Sequence, residues 1–179
     1  AIELQPQWNV PHNNLARLYL SSGKEKEAIT NLEVAIKENQ QNRAAYMTLA
    51  SLYERSGDSD AAISTYEKAV AADPNLWSAH NNLAYLLAEH RDDKADLERA
   101  LSFAQRAEEL RPEDPTILDT VGWVQYKAGA VDDALATLEK AYAKQPDSGV
   151  INFHLAQLLI EKDRKPEARE KLEKALSDE

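Results

Sequence analysis

The chain has 179 residues, of which 43% are hydrophobic and 29% charged, and it contains only five glycines and seven prolines. This size and composition indicate a folded, helix-rich protein and exclude a collagenous, low-complexity or wholly disordered chain. The net charge of −10 repels phosphate backbones and anionic lipid surfaces, so we expect no nucleic acid among the partners. The absence of cysteine excludes disulfides and cysteine zinc sites, and no apolar run is long enough for membrane insertion by this segment.

The chain repeats itself at a fixed interval. Pairs made of an aliphatic and then a small residue recur at steps of 34, 34, 38 and 34 residues, and a series of single alanines recurs at steps of 34, 38, 34 and 34. A constant period of this length is typical of repeat proteins, and both series predict five units. The pairs are Leu15-Ala16, Leu49-Ala50, Leu83-Ala84, Val121-Gly122 and Leu155-Ala156, and the alanines are Ala28, Ala62, Ala100, Ala134 and Ala168.

Each unit predicts two amphipathic helices, because apolar residues fall at helical spacing on both sides of a short break. The breaks are centred on Gly23, Gly57, Gly129 and, without a glycine, Asp163. Prolines at 74, 112 and 146 lack the amide hydrogen that a continuing helix needs, so they predict the end of the second helix, and Gln40 replaces the proline in the first unit. The repeated alanines are expected where two helices cross, because a methyl group lets the backbones approach.

The second unit carries the most complete pattern: Tyr46, Leu49, Ala50, Tyr53, Gly57, Ala62, Tyr66, Ala69 and Pro74. This order of aromatic, aliphatic, small and proline residues resembles the tetratricopeptide repeat (TPR), and the resemblance extends over residues 9–179. It implies an all-α fold, a right-handed superhelical solenoid of antiparallel helix pairs.

The period also predicts the domain boundaries. We interpret residues 1–8 as the tail of a preceding, truncated repeat, which implies further repeats upstream in a parent protein. The five repeats are expected at 9–42, 43–76, 77–114, 115–148 and, incomplete, 149–179. The third is four residues longer than the second, and we place this insertion in the turn between its helices, around residues 89–96.

No motif indicates catalysis. No histidine lies four residues from another, as zinc-binding helices require, and the glycines are scattered rather than grouped into a phosphate-binding loop. His12 and His80 occupy the position of the repeat aromatic, which favours packing, and Asp58 or Ser59 is better explained as a helix cap than as a calcium ligand. We therefore predict no catalytic residue, no metal and no cofactor.

The resemblance implies that the first helices of successive repeats line a concave groove that binds a peptide or a partner helix. Tyr85 and Trp123 hold equivalent places in adjacent units and Tyr126 lies nearby, so they are either binding anchors or packing residues. A row of polar residues that contains Asn82 is interrupted by Thr120 and His154 and is more simply explained as solvated surface. The predicted binding residues are Asn13, Arg17, Met47, Ser51, Asn81, Asn82, Tyr85, Asp119, Trp123, Tyr126, Phe153 and Gln157.

The sequence thus predicts a non-catalytic scaffold whose partner is a protein or peptide. Two alternatives stay open, a docking arm of a larger enzyme and a structural element that self-associates through its ends. Residues 82–89 and 119–123 resemble stretches of bacterial multi-repeat proteins, some of them envelope lipoproteins linked to exopolysaccharide export. That resemblance leaves both the envelope and the cytoplasm open as locations.

Overall fold

A computed structural model describes the backbone of residues 9–177 and the side chains of residues 12–177. Within that range every regular element is a helix. The ten helices of residues 9–177 are α1 (Asn9–Ser21), α2 (Glu25–Glu38), α3 (Arg43–Ser56), α4 (Ser59–Ala72), α5 (Trp77–His90), α6 (Lys94–Leu110), α7 (Pro115–Lys127), α8 (Val131–Lys144), α9 (Gly149–Glu161) and α10 (Lys165–Leu176). The interpretation of residues 1–8 as a repeat tail lies outside the described residues, and the repeat boundaries stay a prediction.

The predicted breaks coincide with the turns between paired helices. Gly23, Gly57 and Gly129 have φ angles of 69°, 78° and 84°, a left-handed conformation that glycine adopts without a side-chain clash. Asp163 takes the same place in the last pair with φ 56°, so this turn keeps the left-handed residue although glycine is missing. The backbone geometry therefore accounts for the glycine period.

The second helices end where the prolines predict. Helices α4, α6 and α8 stop at Ala72, Leu110 and Lys144, two residues before each proline. The residue preceding the proline leaves the helical conformation in each case, as at Asp73 with φ −142° and ψ 95°, because the proline ring disfavours a helical predecessor. Asn39 adopts nearly the same angles ahead of Gln40.

The insertion in the third repeat falls within the predicted residues 89–96, but most of it is helical and not part of the turn. Only residues 91–93 connect α5 to α6, whereas α6 has 17 residues against 14 in α4 and in α8. Ala100 is the seventh residue of α6, while Ala62 is the fourth of α4, so three of the four extra residues form an additional first turn of the helix. The side chain of Asp93 accepts a hydrogen bond from Asp96 N at 3.0 Å and caps this turn, which is why the polar segment is helical rather than a loop.

The chain divides into two compact units, residues 1–79 and residues 80–179. In unit 1, one apolar cluster joins α1, α2 and α3 through Ala16, Ala28, Leu32, Leu49 and Leu52. Tyr46 and Tyr66 are also buried. In unit 2, the fully buried side chains include Leu83, Ile117, Leu138, Leu155 and Leu158.

The repeated alanines are buried as predicted. Ala28, Ala62, Ala100 and Ala134 are fully buried and Ala168 is 2% exposed. At Gly122, which replaces alanine in the fourth repeat, a Cβ atom would lie 2.7 Å from Leu138 Cγ. Glycine is required there because α7 and α8 approach closely.

Candidate functional site

In unit 1, two of the four predicted residues are held by bonds within the chain. Asn13 exchanges two side-chain hydrogen bonds of 3.3 Å with Asn42, which is 1% exposed and caps α3 by accepting from Ala45 N. The Met47 sulfur accepts a hydrogen bond of 3.7 Å from Ser78 Oγ. Arg17 and Ser51 are exposed. Of the four, only Arg17 and Ser51 therefore have exposed side chains.

In unit 2, Trp123 lies at the centre of a cluster that joins three first helices. Its ring stacks on His154 of α9 with centroids 4.2 Å apart and planes inclined by 17°. Its Nε1 donates a hydrogen bond of 2.6 Å to Glu89 of α5, and Lys127 Nζ lies 5.9 Å from the ring centroid. Trp123 is only 6% exposed, so packing accounts for most of its surface.

His154 also forms a buried polar pair with Asp119. His154 Nδ1 and Asp119 Oδ1 are 2.9 Å apart, and the two residues are 2% and 6% exposed. The pair places α9 on α7 at a fixed position, because a buried carboxylate must keep a hydrogen-bond partner. Thr120 and His154, the residues that interrupt the polar row containing Asn82, are both buried.

Around the Trp123 cluster, three aromatic side chains keep accessible surface. Tyr85 and Tyr126 are half-buried, and Phe153 is 44% exposed. Tyr85 and Tyr126 lie with ring centroids 6.4 Å from His154 and 5.2 Å from Trp123, respectively. Burial, followed by a hydrogen bond to the Glu161 carboxylate, raises the pKa of the Tyr126 phenol. Gln157 is half-buried on the same helix as Phe153.

The remaining predicted residues differ in accessibility. Asn81 is 7% exposed, and its Nδ2 donates to Asn82 Oδ1 at 3.4 Å. Asn82 is half-buried. The structure thus brings Tyr85, Trp123 and Tyr126 together in unit 2, while Asn81, Asp119 and Trp123 form part of its interior.

Sequence reasoning missed two residues that hold the cluster, Glu89 and His154. Both lie on first helices, Glu89 four residues after Tyr85 and His154 one residue after Phe153. The polar pair was detectable in principle, because His154 lies 35 residues after Asp119, one residue more than the repeat length. A residue of the next repeat can therefore reach the preceding one.

The residues 9–177 that the structure describes include no group of three or more histidine, aspartate or glutamate side chains placed to hold a metal ion. Among the same residues, no helix is long and apolar enough to cross a membrane.

Comparison with known families decides the classification. Two models described as tetratricopeptide repeat match the chain, one at residues 13–76 and again at 47–115, the other at residues 125–179. The chain belongs to the tetratricopeptide repeat family. A TPR repeat-containing protein of Pseudomonas aeruginosa is 42% identical over 45 residues, which are 25% of this chain and 8% of that protein. The chain therefore matches only a small part of this relative.

Solved structures show the same fold. A thermophilic TPR protein of Thermus thermophilus superposes with a TM-score of 0.74 at 28% identity, covering 95% of this chain and 91% of the other. YrrB, described as a TPR protein with an unusual peptide-binding site, superposes with a TM-score of 0.71 at 22% identity, covering 99% and 90%. The all-α TPR solenoid class is thus confirmed. An association with envelope lipoproteins or exopolysaccharide export gains no support from these relatives.

Proposed function

We propose that this TPR chain is a non-catalytic scaffold that binds a peptide or a partner helix on the first helices of unit 2. The observation that carries the proposal is a group of accessible side chains beside the buried Trp123: Tyr85, Tyr126, Phe153 and Gln157, named here the first-helix surface. A solved relative in fold, YrrB, is described as having a peptide-binding site, which agrees with this use of the architecture.

The buried cluster supports binding by fixing the surface in advance. Trp123 contacts Glu89 and His154, and His154 contacts Asp119, so α5, α7 and α9 are tied together below the accessible rings. A preorganised surface loses little conformational entropy when it binds a partner. Aromatic rings also contribute large contact areas with few rotatable bonds, which explains their frequency among binding anchors.

The acidic residues near the first-helix surface favour a partner that carries positive charge. Glu89 and Glu161 lie at the ends of α5 and α9, next to Trp123 and Tyr126, and the whole chain carries −10. Lys127 offsets part of this negative charge at a distance of 3.9 Å from Glu89. We therefore propose a segment with apolar or aromatic side chains and at least one basic residue, because complementary charge accelerates and orients association.

In unit 1, we propose the exposed residues Arg17 and Ser51 as further positions that contact a partner. Asn13 and Met47 are proposed to support them through their bonds to Asn42 and Ser78.

The test is a selection from a displayed peptide library, followed by titration of the selected peptide. The double variant Tyr85→Ala/Phe153→Ala removes two rings from the first-helix surface, and we expect it to weaken binding by about tenfold or more. Tyr142→Ala is the matched control, because Tyr142 is a half-buried tyrosine on the second helix α8.

Circular dichroism first establishes that all three proteins are equally helical. Equal binding by the wild type and the double variant, or loss of binding in Tyr142→Ala alone, would contradict the proposed surface.

A further inference from the structure

Tyr142 of α8 lies against two lysines of α10. Lys174 Nζ donates a hydrogen bond of 2.9 Å to Tyr142 Oη. Lys171 Nζ lies over the phenol ring, 3.5 Å from its centroid, and Lys174 Nζ is 5.3 Å from the same centroid. All three side chains are half-buried, so two ammonium groups are held beside one phenol at the surface of unit 2.

The partial exposure of Tyr142 is typical of its repeat position. At the same position the second and third repeats have Val70 and Glu108, each of which, like Tyr142, directly follows a buried alanine. Val70 and Glu108 lie in the interior of the sequence and are also half-buried. The accessibility of the phenol is therefore a property of the repeat.

Other tyrosines of the chain have partners of the opposite charge. Three of them bond to a glutamate carboxylate, and the pairs are Tyr53–Glu33, Tyr66–Glu54 and Tyr126–Glu161. A neighbouring carboxylate opposes ionisation of a phenol, because both groups would then be negative, whereas a neighbouring ammonium favours it. Tyr142 therefore lies in an electrostatic environment that stabilises the phenolate.

The protonation of the cluster agrees with this geometry. The hydrogen bond from Lys174, followed by one from Lys171, lowers the pKa of the Tyr142 phenol, while burial opposes the change. The bond to the phenol, with smaller effects of Glu170 and Asp147, raises the pKa of Lys174 and keeps its ammonium charged. A tyrosine whose pKa is lowered is an activated nucleophile, because more of it is phenolate.

We propose that Tyr142 is a nucleophilic tyrosine and a site of covalent modification by activated sulfonyl or phosphoryl donors. The phenol proton passes to water, the phenolate oxygen forms a bond to sulfur or phosphorus, and the leaving group departs with the electron pair of the bond that breaks. Lys171 and Lys174 stabilise the negative charge on the oxygens of the donor during this step. The site lies on second helices and uses none of the first-helix surface residues, so it is independent of the proposed peptide binding.

The test is labelling of the folded chain with an arylsulfonyl fluoride, which releases fluoride when it reacts. Peptide mass spectrometry measures the labelling rate at each tyrosine. Tyr126 is the internal reference, because it is also half-buried but bonds to a carboxylate. We expect Tyr142 to react at least about tenfold faster than Tyr126, since the two phenols have pKa values shifted in opposite directions.

Two double variants test the part of the lysines. Lys171→Gln/Lys174→Gln removes both ammonium groups, and we expect it to slow labelling of Tyr142 by about fivefold or more while the rate at Tyr126 stays the same. Lys171→Arg/Lys174→Arg keeps both charges and should retain most of the rate. Circular dichroism establishes that the variants are as helical as the wild type.

Lys140→Gln/Lys144→Gln is the matched control, because these two exposed lysines of α8 act on Glu113 and not on Tyr142. We expect this control to label Tyr142 at the rate of the wild type. Labelling of Tyr142 no faster than that of Tyr126, preferential labelling of the two α10 lysines themselves, or equal rates at Tyr142 in the two glutamine variants would overturn the proposal.

Discussion

Trp123 joins three first helices, because its ring stacks on His154 of α9 and its Nε1 donates to Glu89 of α5. Phe153 is 44% exposed, while Trp123 is only 6% exposed. The two aromatic residues should therefore respond differently to substitution, one through stability and the other through binding.

We expect Trp123→Ala to lower the free energy of unfolding by about 3–5 kcal/mol, the range for truncating a buried large aromatic side chain. Phe153→Ala should lower it by less than about 1 kcal/mol, because a half-exposed side chain leaves a smaller cavity. Urea denaturation followed by circular dichroism measures both. Similar losses for the two variants would contradict the assignment of Trp123 to packing.

Gly122 allows a close approach of α7 and α8, and a methyl group there would clash with Leu138. We expect Gly122→Ala to destabilise the chain by about 1–2 kcal/mol, since overpacking outweighs the gain in helix propensity. In a Leu138→Ala background the same substitution should cost less, because the clashing atom is gone. A cost that is unchanged in that background would place the strain elsewhere.

The phenol of Tyr126 has a raised pKa, caused first by burial and then by its hydrogen bond to Glu161. Its folded pKa lies above the unfolded one, so the stability it contributes is present below the ordinary tyrosine pKa and is lost as pH rises through the folded value. Glu161→Gln should lower the pKa part of the way, because the charge goes but the burial stays. Ultraviolet absorbance titration of the tyrosinate follows this change, and a pKa unaffected by the substitution would exclude Glu161 as a cause.

At the scale of single residues, the sequence assigned Trp123 and Tyr85 to equivalent positions of two first helices but did not predict how much of each side chain is covered. Repeat position determines the direction of a side chain, while its burial depends on the side chain that the next repeat places over it. His154 covers Trp123, and no periodic rule required a histidine at that position.

Among the elements, the turns follow most directly from sequence. Gly57 closes α3 at φ 78°, and a Cβ atom there would have no atom within 4 Å beyond its chain neighbours, so only the backbone conformation demands glycine. Asp163 shows that the conformation survives without glycine. Replacing Gly57 by another residue should therefore change the free energy of unfolding only through the backbone conformation.

We expect Gly57→Ala to lower the free energy of unfolding by about 1 kcal/mol, the cost of a left-handed conformation for an L-residue. Gly57→Asn should lower it less, since asparagine tolerates this region. Thermal unfolding by calorimetry compares the variants. An alanine variant as stable as the wild type would show that the turn can change its conformation.

The insertion in the third repeat shows a secondary structure that the sequence did not predict. A four-residue surplus is close to one helical turn, so it can extend a helix without rotating its apolar face. Composition favoured a polar loop, but Asp93 caps the added turn, and Asp96 of that turn pairs with Arg99 of the following turn at 2.5 Å. The cap at Asp93 stabilises the helical conformation of the inserted residues, and this conformation cannot be predicted from repeat spacing alone.

For the whole molecule, the helix pairs, their turns and the buried alanines were predictable because each repeat restates the same packing rules. The partner was not predictable, since a binding surface consists of the side chains that remain accessible after the helices have packed. In unit 2 these are Tyr85, Tyr126, Phe153 and Gln157, and the proposed function requires a ligand to contact them.

A nuclear magnetic resonance titration of the labelled chain with the peptide selected from the library tests that contact. We expect chemical-shift changes to concentrate on α5, α7 and α9, with clear changes at Tyr85 and Phe153 and smaller ones at the Trp123 indole beneath them. Changes concentrated on the second helices α6, α8 and α10, with the first-helix surface unaffected, would contradict the proposed function.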